Sequence, residues 1–142
     1  MRKVLVTGAS GLVGKALTAQ LLASGHTVKV ALRAPARELS STVEQIIVAD
    51  WEKLSSWSEI LQDVEVVVHL LGQVPALGID EEVYRRVNCD LTLRLADICA
   101  AHSVKRLIYL STIKVLGDKS TAGETLHVNS PPEPTHAYSQ SK

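Results

Sequence analysis

Three glycines at three-residue spacing, Gly8, Gly11 and Gly14, stand between a short β-branched run and an amphipathic one. Lys3 to Val6 reads as a buried strand, and Leu12 to Ala23, with apolar residues at 12, 13, 16, 17, 21 and 22, has the spacing of a helix. A strand that becomes a helix within so few residues needs a tight corner. In the segment Thr7-Gly8-Ala9-Ser10-Gly11-Leu12-Val13-Gly14, Gly8 allows the turn, Gly11 lets main-chain N–H groups approach a pyrophosphate, and Gly14 lets the helix sit close on the sheet. Phosphates held there would meet the positive end of the helix dipole. The plainer alternative is a strand–turn–helix corner with no ligand at all.

The alternation continues along the chain. Ser24-Gly25 closes the first helix, with glycine in its usual place just past the C-terminus. Thr27 to Leu32, Ile46 to Ala49, Glu65 to Leu70 and Lys105 to Leu110 read as further strands. The run from Glu65 is apolar nearly throughout, as for a strand covered on both faces. Lys53 to Leu61 reads as a helix with Trp57, Ile60 and Leu61 inward. Asp80 to Ala101 is the clearest helix: Val83, Val87, Leu91, Leu95 and Ile98 make one apolar stripe. Thr121 to Thr135, with Pro131, Pro132 and Pro134, is a loop, and a helix opens from His136 onward. Strands alternating with helices predict an α/β fold, a parallel sheet covered on both sides.

Composition narrows the partners. The 142 residues, 46% hydrophobic and 21% charged, suit one domain with a real core. Fifteen basic residues balance fifteen acidic ones, and no basic face or tail stands out, which argues against nucleic acid and anionic membranes. The apolar run Val64 to Leu71 contains Glu65 and His69 and is too short to span a bilayer. Thr7, Gly8, Ser10 and Lys15 interrupt what would otherwise imitate a signal peptide, so a cytoplasmic protein is expected. Cys89 and Cys99 form no disulfide framework, and His26, His69, His102 and His127 show no metal-ligand spacing, so no metal is expected.

Tyr138-Ser139-Gln140-Ser141-Lys142 sets a phenol and an ammonium four residues apart, on one face of a helix. An ammonium so placed can hold a phenol nearer its ionised form, which would suit proton transfer in alcohol–ketone chemistry. The same spacing also occurs in ordinary surface helices.

Together with the glycine loop, these residues resemble the extended branch of the short-chain dehydrogenase/reductase superfamily, the NAD-dependent epimerase/dehydratase family. The resemblance runs the full length of the chain. Asp50-Trp51 resembles the family's acidic residue at the adenine, and His69-Leu70-Leu71-Gly72 its His-x-Ala-Gly segment along the cofactor, with Leu71 in place of a small residue. Asn88-Cys89-Asp90-Leu91-Thr92 resembles Asn-Val-x-Gly-Thr, with Leu91 replacing glycine. Asn88 would tie its helix to the sheet and the cofactor region. Ser111 to Gly117 resembles Ser-Ser-x-x-Val-Tyr-Gly, and Tyr138-x-x-x-Lys142 completes the set.

The resemblance implies a Rossmann-like, doubly wound parallel sheet of order 3-2-1-4-5. It implies that residues 1–142 are a cofactor-binding domain stopping before the last strands and the substrate lobe. It implies a cofactor site of Gly8, Ser10, Gly11, Leu12, Val13, Gly14, Arg33, Asp50, Trp51, Leu70, Leu71, Gly72, Asn88, Tyr138 and Lys142. Its catalytic set would be Thr112, Tyr138 and Lys142, with Ser111 as a neighbouring hydroxyl and His136 an ordinary loop residue. Leu32-Arg33 stands where NAD-preferring members carry an acid, which favours NADP and leaves NAD open. The implied activity is hydride transfer at a carbon of a nucleotide sugar, UDP-linked, by an epimerase or 4-keto-reductase, with dehydration the least fitting. A longer parent is expected to be a homodimer, and the shortened end to leave an apolar patch exposed. The alternative is a non-catalytic dinucleotide sensor or assembly protein on the same fold.

Overall fold

The computed structural model describes residues 1–54, 57–120 and 122–142, which form two compact units: residues 1–71 with 91–110, and residues 72–90 with 111–142.

The first unit holds the sheet. Its strands are β1 (Lys3–Thr7), β2 (Thr27–Leu32), β3 (Glu44–Ile47), β4 (Val66–His69) and β5 (Arg106–Tyr109), all parallel, in the order β3-β2-β1-β4-β5. This is the expected order 3-2-1-4-5. Side chains alternate across the strands. Val4, Val6, Val28, Val30, Val66 and Val68 share one core with Leu17, Leu21 and Leu22 of helix α1 (Leu12–Ala23). Leu5, Ala31 and Val67 point the other way, into a core with Ile60 and Leu61 of α2 (Ser58–Leu61) and Leu91, Leu95 and Cys99 of α4 (Leu91–Ala101). Each fully buried Val or Leu contributes on the order of 1.5–3 kcal/mol. Burial pushes the Cys99 thiol up to about 11, which keeps it protonated and inert.

Three elements depart from the sequence expectation. β3 lies two residues earlier than Ile46 to Ala49, because its first residues are polar but partnered. Glu44 pairs with Lys29 at 3.0 Å and Lys3 at 3.3 Å, and the Gln45 amide bonds the Ala36 main chain in both directions at 3.0 Å. The helix expected over Lys53 to Leu61 is ordered as helix over Ser58–Leu61, and its Ser55 and Ser56 lie outside the described residues. Trp57, Ile60 and Leu61 are buried as expected. The long helix from Asp80 is three pieces: α3 (Glu81–Tyr84), a π-helical segment (Arg85–Asp90) and α4. Its stripe steps by four three times. That overshoots a 3.6-residue turn, and the wider π turn takes up the difference.

The second unit has little regular structure beyond α3 and the π segment. After β5 come a 3₁₀ turn (Ile113–Leu116), the Pro-rich loop, whose expected first residue Thr121 lies outside the described residues, and the single-turn helix α5 (Ala137–Gln140). Among the described residues no helix is long and apolar enough to cross a membrane.

Lys29 is a buried cation in the core beneath α2. Only 2% exposed, it sends its ammonium to the Glu59 carbonyl at 2.9 Å and to Glu44. Its stem fills core space, and its head ties β2 to both α2 and β3. Lys29→Ala should therefore cost about 3 kcal/mol through the cavity and the abandoned carbonyl. Lys29→Met, which keeps the stem, should cost about 1 kcal/mol. Urea denaturation of the two variants checks this; near-equal losses would contradict the division between stem and head.

Candidate functional site

The glycine corner is built by close approach. A Cβ on Gly14 would lie 2.3 Å from the Gly8 carbonyl and 2.6 Å from Ala9 Cα, so the first turn of α1 rests directly on the end of β1. Gly8 has φ +72°, and a Cβ there would stand 2.8 Å from the Leu71 nitrogen. Gly11 differs: a Cβ on it would meet only the Gly8 carbonyl, at 3.3 Å, and the residue is exposed. Packing explains the first and third glycines better than the second.

The N-terminus of α1 is open. Gly11 occupies the cap position with no side-chain hydrogen bond, and the first turn holds no acid. Its N–H groups are the orphan donors of a helix start, and Ser10, Gly11, Leu12 and Val13 around them are exposed. By contrast α3 is capped by Asp80, which accepts from the Glu82 N–H at 2.9 Å. Bare main chain at the tip, no acid and free donors fit the pyrophosphate of a dinucleotide.

The strand ends beside the corner are held by a buried polar chain. The Thr7 hydroxyl bonds His69 Nδ1 at 2.7 Å and accepts the Leu71 N–H at 3.3 Å, while the His69 ring stacks on Tyr109 at 5.8 Å. This fixes Leu70 and Leu71 against Gly8. Arg33 and Arg37 are exposed beyond β2. The Asp50 carboxylate closes its own turn, accepting the N–H groups of Glu52 and Lys53 and pairing with Lys53 at 3.2 Å. Those contacts hold it below the usual carboxylate range, the Lys53 bond foremost. The Trp51 ring is in the core, 5.7 Å from Trp57, so any ligand contact at Trp51 runs through its main chain. Arg94 braces the segment by donating to the carbonyls of Glu52 and Leu54 at 3.2 and 2.6 Å.

In the second unit one side chain organises the rest. Asn88, 1% exposed in the π segment, accepts the Gln73 N–H at 2.7 Å and donates to the Gln73 carbonyl and to the Ser141 hydroxyl, each at 3.0 Å. A Cβ on Gly72 would lie 3.0 Å from Asn88 Oδ1 and 3.5 Å from Lys142 Nζ, so the bare glycine leaves the amide and the ammonium their room. Ser141 keeps right-handed helical angles past α5, so Tyr138 and Lys142 retain one-turn spacing. Burial pushes the Lys142 ammonium below its ordinary range. The Ser111 hydroxyl donates to the Lys142 carbonyl at 3.1 Å. Thr112 caps the 3₁₀ turn, accepting the Lys114 N–H at 3.4 Å. Of the two adjacent hydroxyls, Ser111 is the one bonded to Lys142.

The approach to Tyr138 is clamped by residues that the sequence did not single out. His136 Nε2 pairs with Asp118 Oδ2 at 2.8 Å, Lys114 pairs with its Oδ1 at 3.2 Å, and the Thr135 hydroxyl donates to the same carboxylate. The Ser139 hydroxyl accepts the His136 N–H at 3.1 Å and donates to the His136 carbonyl at 2.9 Å, closing the start of α5. Gln73, Asp118 and Tyr84 carried no motif signal. Among the described residues no group of three or more His, Cys, Asp or Glu side chains could hold a metal ion.

Residues 4–142 match the family described as NAD dependent epimerase/dehydratase family. A ketoreductase of Aspergillus novofumigatus is 31% identical over 78% of the chain and 35% of its own length. A UDP-glucose 4-epimerase of Vibrio cholerae is 30% identical over 99% of the chain and 44% of its own length. The crystal structure of a UDP-glucuronic acid 4-epimerase from Bacillus cereus, in complex with NAD, superposes with a TM-score of 0.81 at 29% identity, covering 98% of this chain and 48% of that one. The chain thus spans less than half the length of these proteins.

The Asp118 clamp makes a pH prediction. Its carboxyl is held below its ordinary value of 3.8, first by the Thr135 hydroxyl and then by Lys114. With the native value lowered, the stabilisation is present above about pH 4 and is lost as the pH falls through the native value. Amide spectra should show residues 133–142 shifting below pH 4 toward their positions in Asp118→Asn. A variant spectrum identical to wild type at pH 7 would contradict the clamp.

Proposed function

Because the chain belongs to the NAD dependent epimerase/dehydratase family, we propose that it is the dinucleotide-binding part of an enzyme acting on a nucleotide sugar. The reaction is oxidation of a sugar alcohol carbon or reduction of the matching ketone. Epimerase and keto-reductase share that half-reaction, and the relatives named above are of both kinds. What carries the reading is the Asn88 amide: it fixes Ser141, and with it the turn bearing Tyr138 and Lys142, one residue from the glycine that leaves Lys142 its space.

On this reading residues 1–142 act as one cofactor domain. Gly8, Ser10, Gly11, Leu12, Val13 and Gly14 hold the pyrophosphate; Arg33, Asp50 and Trp51 serve the adenosine end; Leu70, Leu71, Gly72 and Asn88 line the nicotinamide side. When bound, the nicotinamide supplies or accepts the hydride. Tyr138 holds or releases the proton at its phenolic oxygen, on the sugar hydroxyl. Lys142, one turn along and partly buried, would bond the nicotinamide ribose. Thr112 or Ser111 steadies the same substrate oxygen. A whole protein working as a homodimer on a UDP-linked sugar completes the proposal. Retention of both Tyr138 and Lys142 weighs against a non-catalytic sensor.

Two observations pull apart on the choice of dinucleotide. Arg33 at the end of β2, with no acid beside it, suits a 2′-phosphate and hence NADP. The Bacillus cereus neighbour was solved with NAD. Arg33→Ala separates them: if Arg33 holds the 2′-phosphate, NADPH binding falls about tenfold while NADH is unchanged. Equal affinities before and after the substitution would remove the preference for NADP.

Calorimetric titration with NADH and NADPH tests the proposal as a whole. Gly11→Ala should weaken binding at least about tenfold while the melting temperature moves little, since the added methyl meets one carbonyl only. In the whole protein, Tyr138→Phe should keep dinucleotide affinity and lose on the order of 10²–10⁴ in turnover of UDP-sugars or 4-keto sugars. Binding of neither dinucleotide would sink the glycine-loop assignment. Turnover untouched by Tyr138→Phe would sink the proton-transfer role.

A further inference from the structure

We infer that Tyr84 is a positioning residue that sets the ring orientation of Tyr138; the inference rests on the proton-transfer role proposed for Tyr138. The two rings meet edge to face, with centroids 6.0 Å apart and planes at 70°. Edge-to-face contact is the favoured aromatic geometry, because the positive rim of one ring meets the negative face of the other. Tyr84 is itself fixed. Its side chain is buried, and its hydroxyl accepts the Ala76 N–H at 3.2 Å.

The need for such a contact follows from how α5 is held. Asn88 grips Ser141, and Ser139 closes the turn with His136, so the main chain around Tyr138 is fixed. A fixed main chain still leaves a tyrosine two side-chain torsions, and its hydroxyl sweeps several ångströms between their wells. Tyr138 is half-buried, so burial alone does not choose among them. Tyr84 lies one turn before Asn88 on the same helix, so one face of Glu81–Asp90 holds α5 twice: by the amide at the main chain and by the ring at the phenol. The Ala76 bond ties that ring to the segment following Gly72. Disturbance of that segment therefore reaches the Tyr138 ring through Tyr84.

The chain has three tyrosines, Tyr84, Tyr109 and Tyr138, so fluorotyrosine labelling gives a readable fluorine NMR spectrum. Tyr109, which stacks on His69 in the other unit, reports on folding. Tyr84→Leu should shift the Tyr138 resonance by removing the ring current, and leave Tyr109 in place. Tyr84→Phe should hold Tyr138 near its wild-type position. In the whole protein Tyr84→Leu should lower kcat about tenfold with dinucleotide Kd unchanged, and Tyr84→Phe should restore most of it. Should Tyr84→Leu not fold, Tyr84→Met fills the space without a ring and reads the same signals. An unmoved Tyr138 resonance, or an unchanged kcat, in the folded ringless variant overturns the inference. Turnover that survives Tyr138→Phe overturns the proposed function instead, and the NMR comparison still decides whether Tyr84 orients the ring.

Discussion

The first turn of α1 rests on the Gly8 carbonyl with nothing between them, and the rest of the first unit is arranged around that contact. Space for a Cβ at Gly14 does not exist, since it would stand 2.3 Å from that oxygen. The start of α1 is thereby held against the end of β1, with Ser10, Gly11, Leu12 and Val13 at its exposed tip. An acid or a capping side chain would have closed that tip, and neither is there. Thr7, His69 and Leu71 then lock the end of β4 against the same corner. A loop that only reversed the chain would need the first and third glycines; packing gives the second a weaker reason.

The second unit relies on a different device. It has little hydrophobic core, and a single amide substitutes for one. An asparagine offers two donors and an acceptor with two lone pairs, and Asn88 spends them on both main-chain groups of Gln73 and on Ser141. At 1% exposure those bonds do not compete with water, and each left unmade would cost the desolvation of its partner. The π turn that carries Asn88 is a local widening of the kind found at functional sites.

Much of this was legible in the sequence, unevenly. α1 and β2 have the expected bounds because their signals are strong: a glycine corner and stop for one, the run Thr27-Val28-Lys29-Val30 following directly on that stop for the other. β3 slipped by two because Glu44 and Gln45 look like loop residues until their partners, Lys29, Lys3 and the Ala36 main chain, are known. The π segment was invisible, since an apolar stripe at steps of four reads as an ordinary helix. Gly8, Gly11, Gly14, Asn88, Tyr138 and Lys142 stood out in the sequence because each belongs to a spaced motif. Asp118 and Tyr84 act by contact with residues distant in sequence, which no local pattern encodes; the ring of Trp51 lies in the core.

The central claim is that the open tip of α1 receives the phosphates of a nicotinamide dinucleotide. Residue-resolved amide spectra of the labelled chain, recorded with and without saturating NADH or NADPH, test it most directly. The account predicts the largest shifts at Ser10, Gly11, Leu12 and Val13, with β3 and the C-terminal half of α1 unmoved. Shifts confined to other surfaces, or none at the glycine loop at saturating dinucleotide, would contradict it.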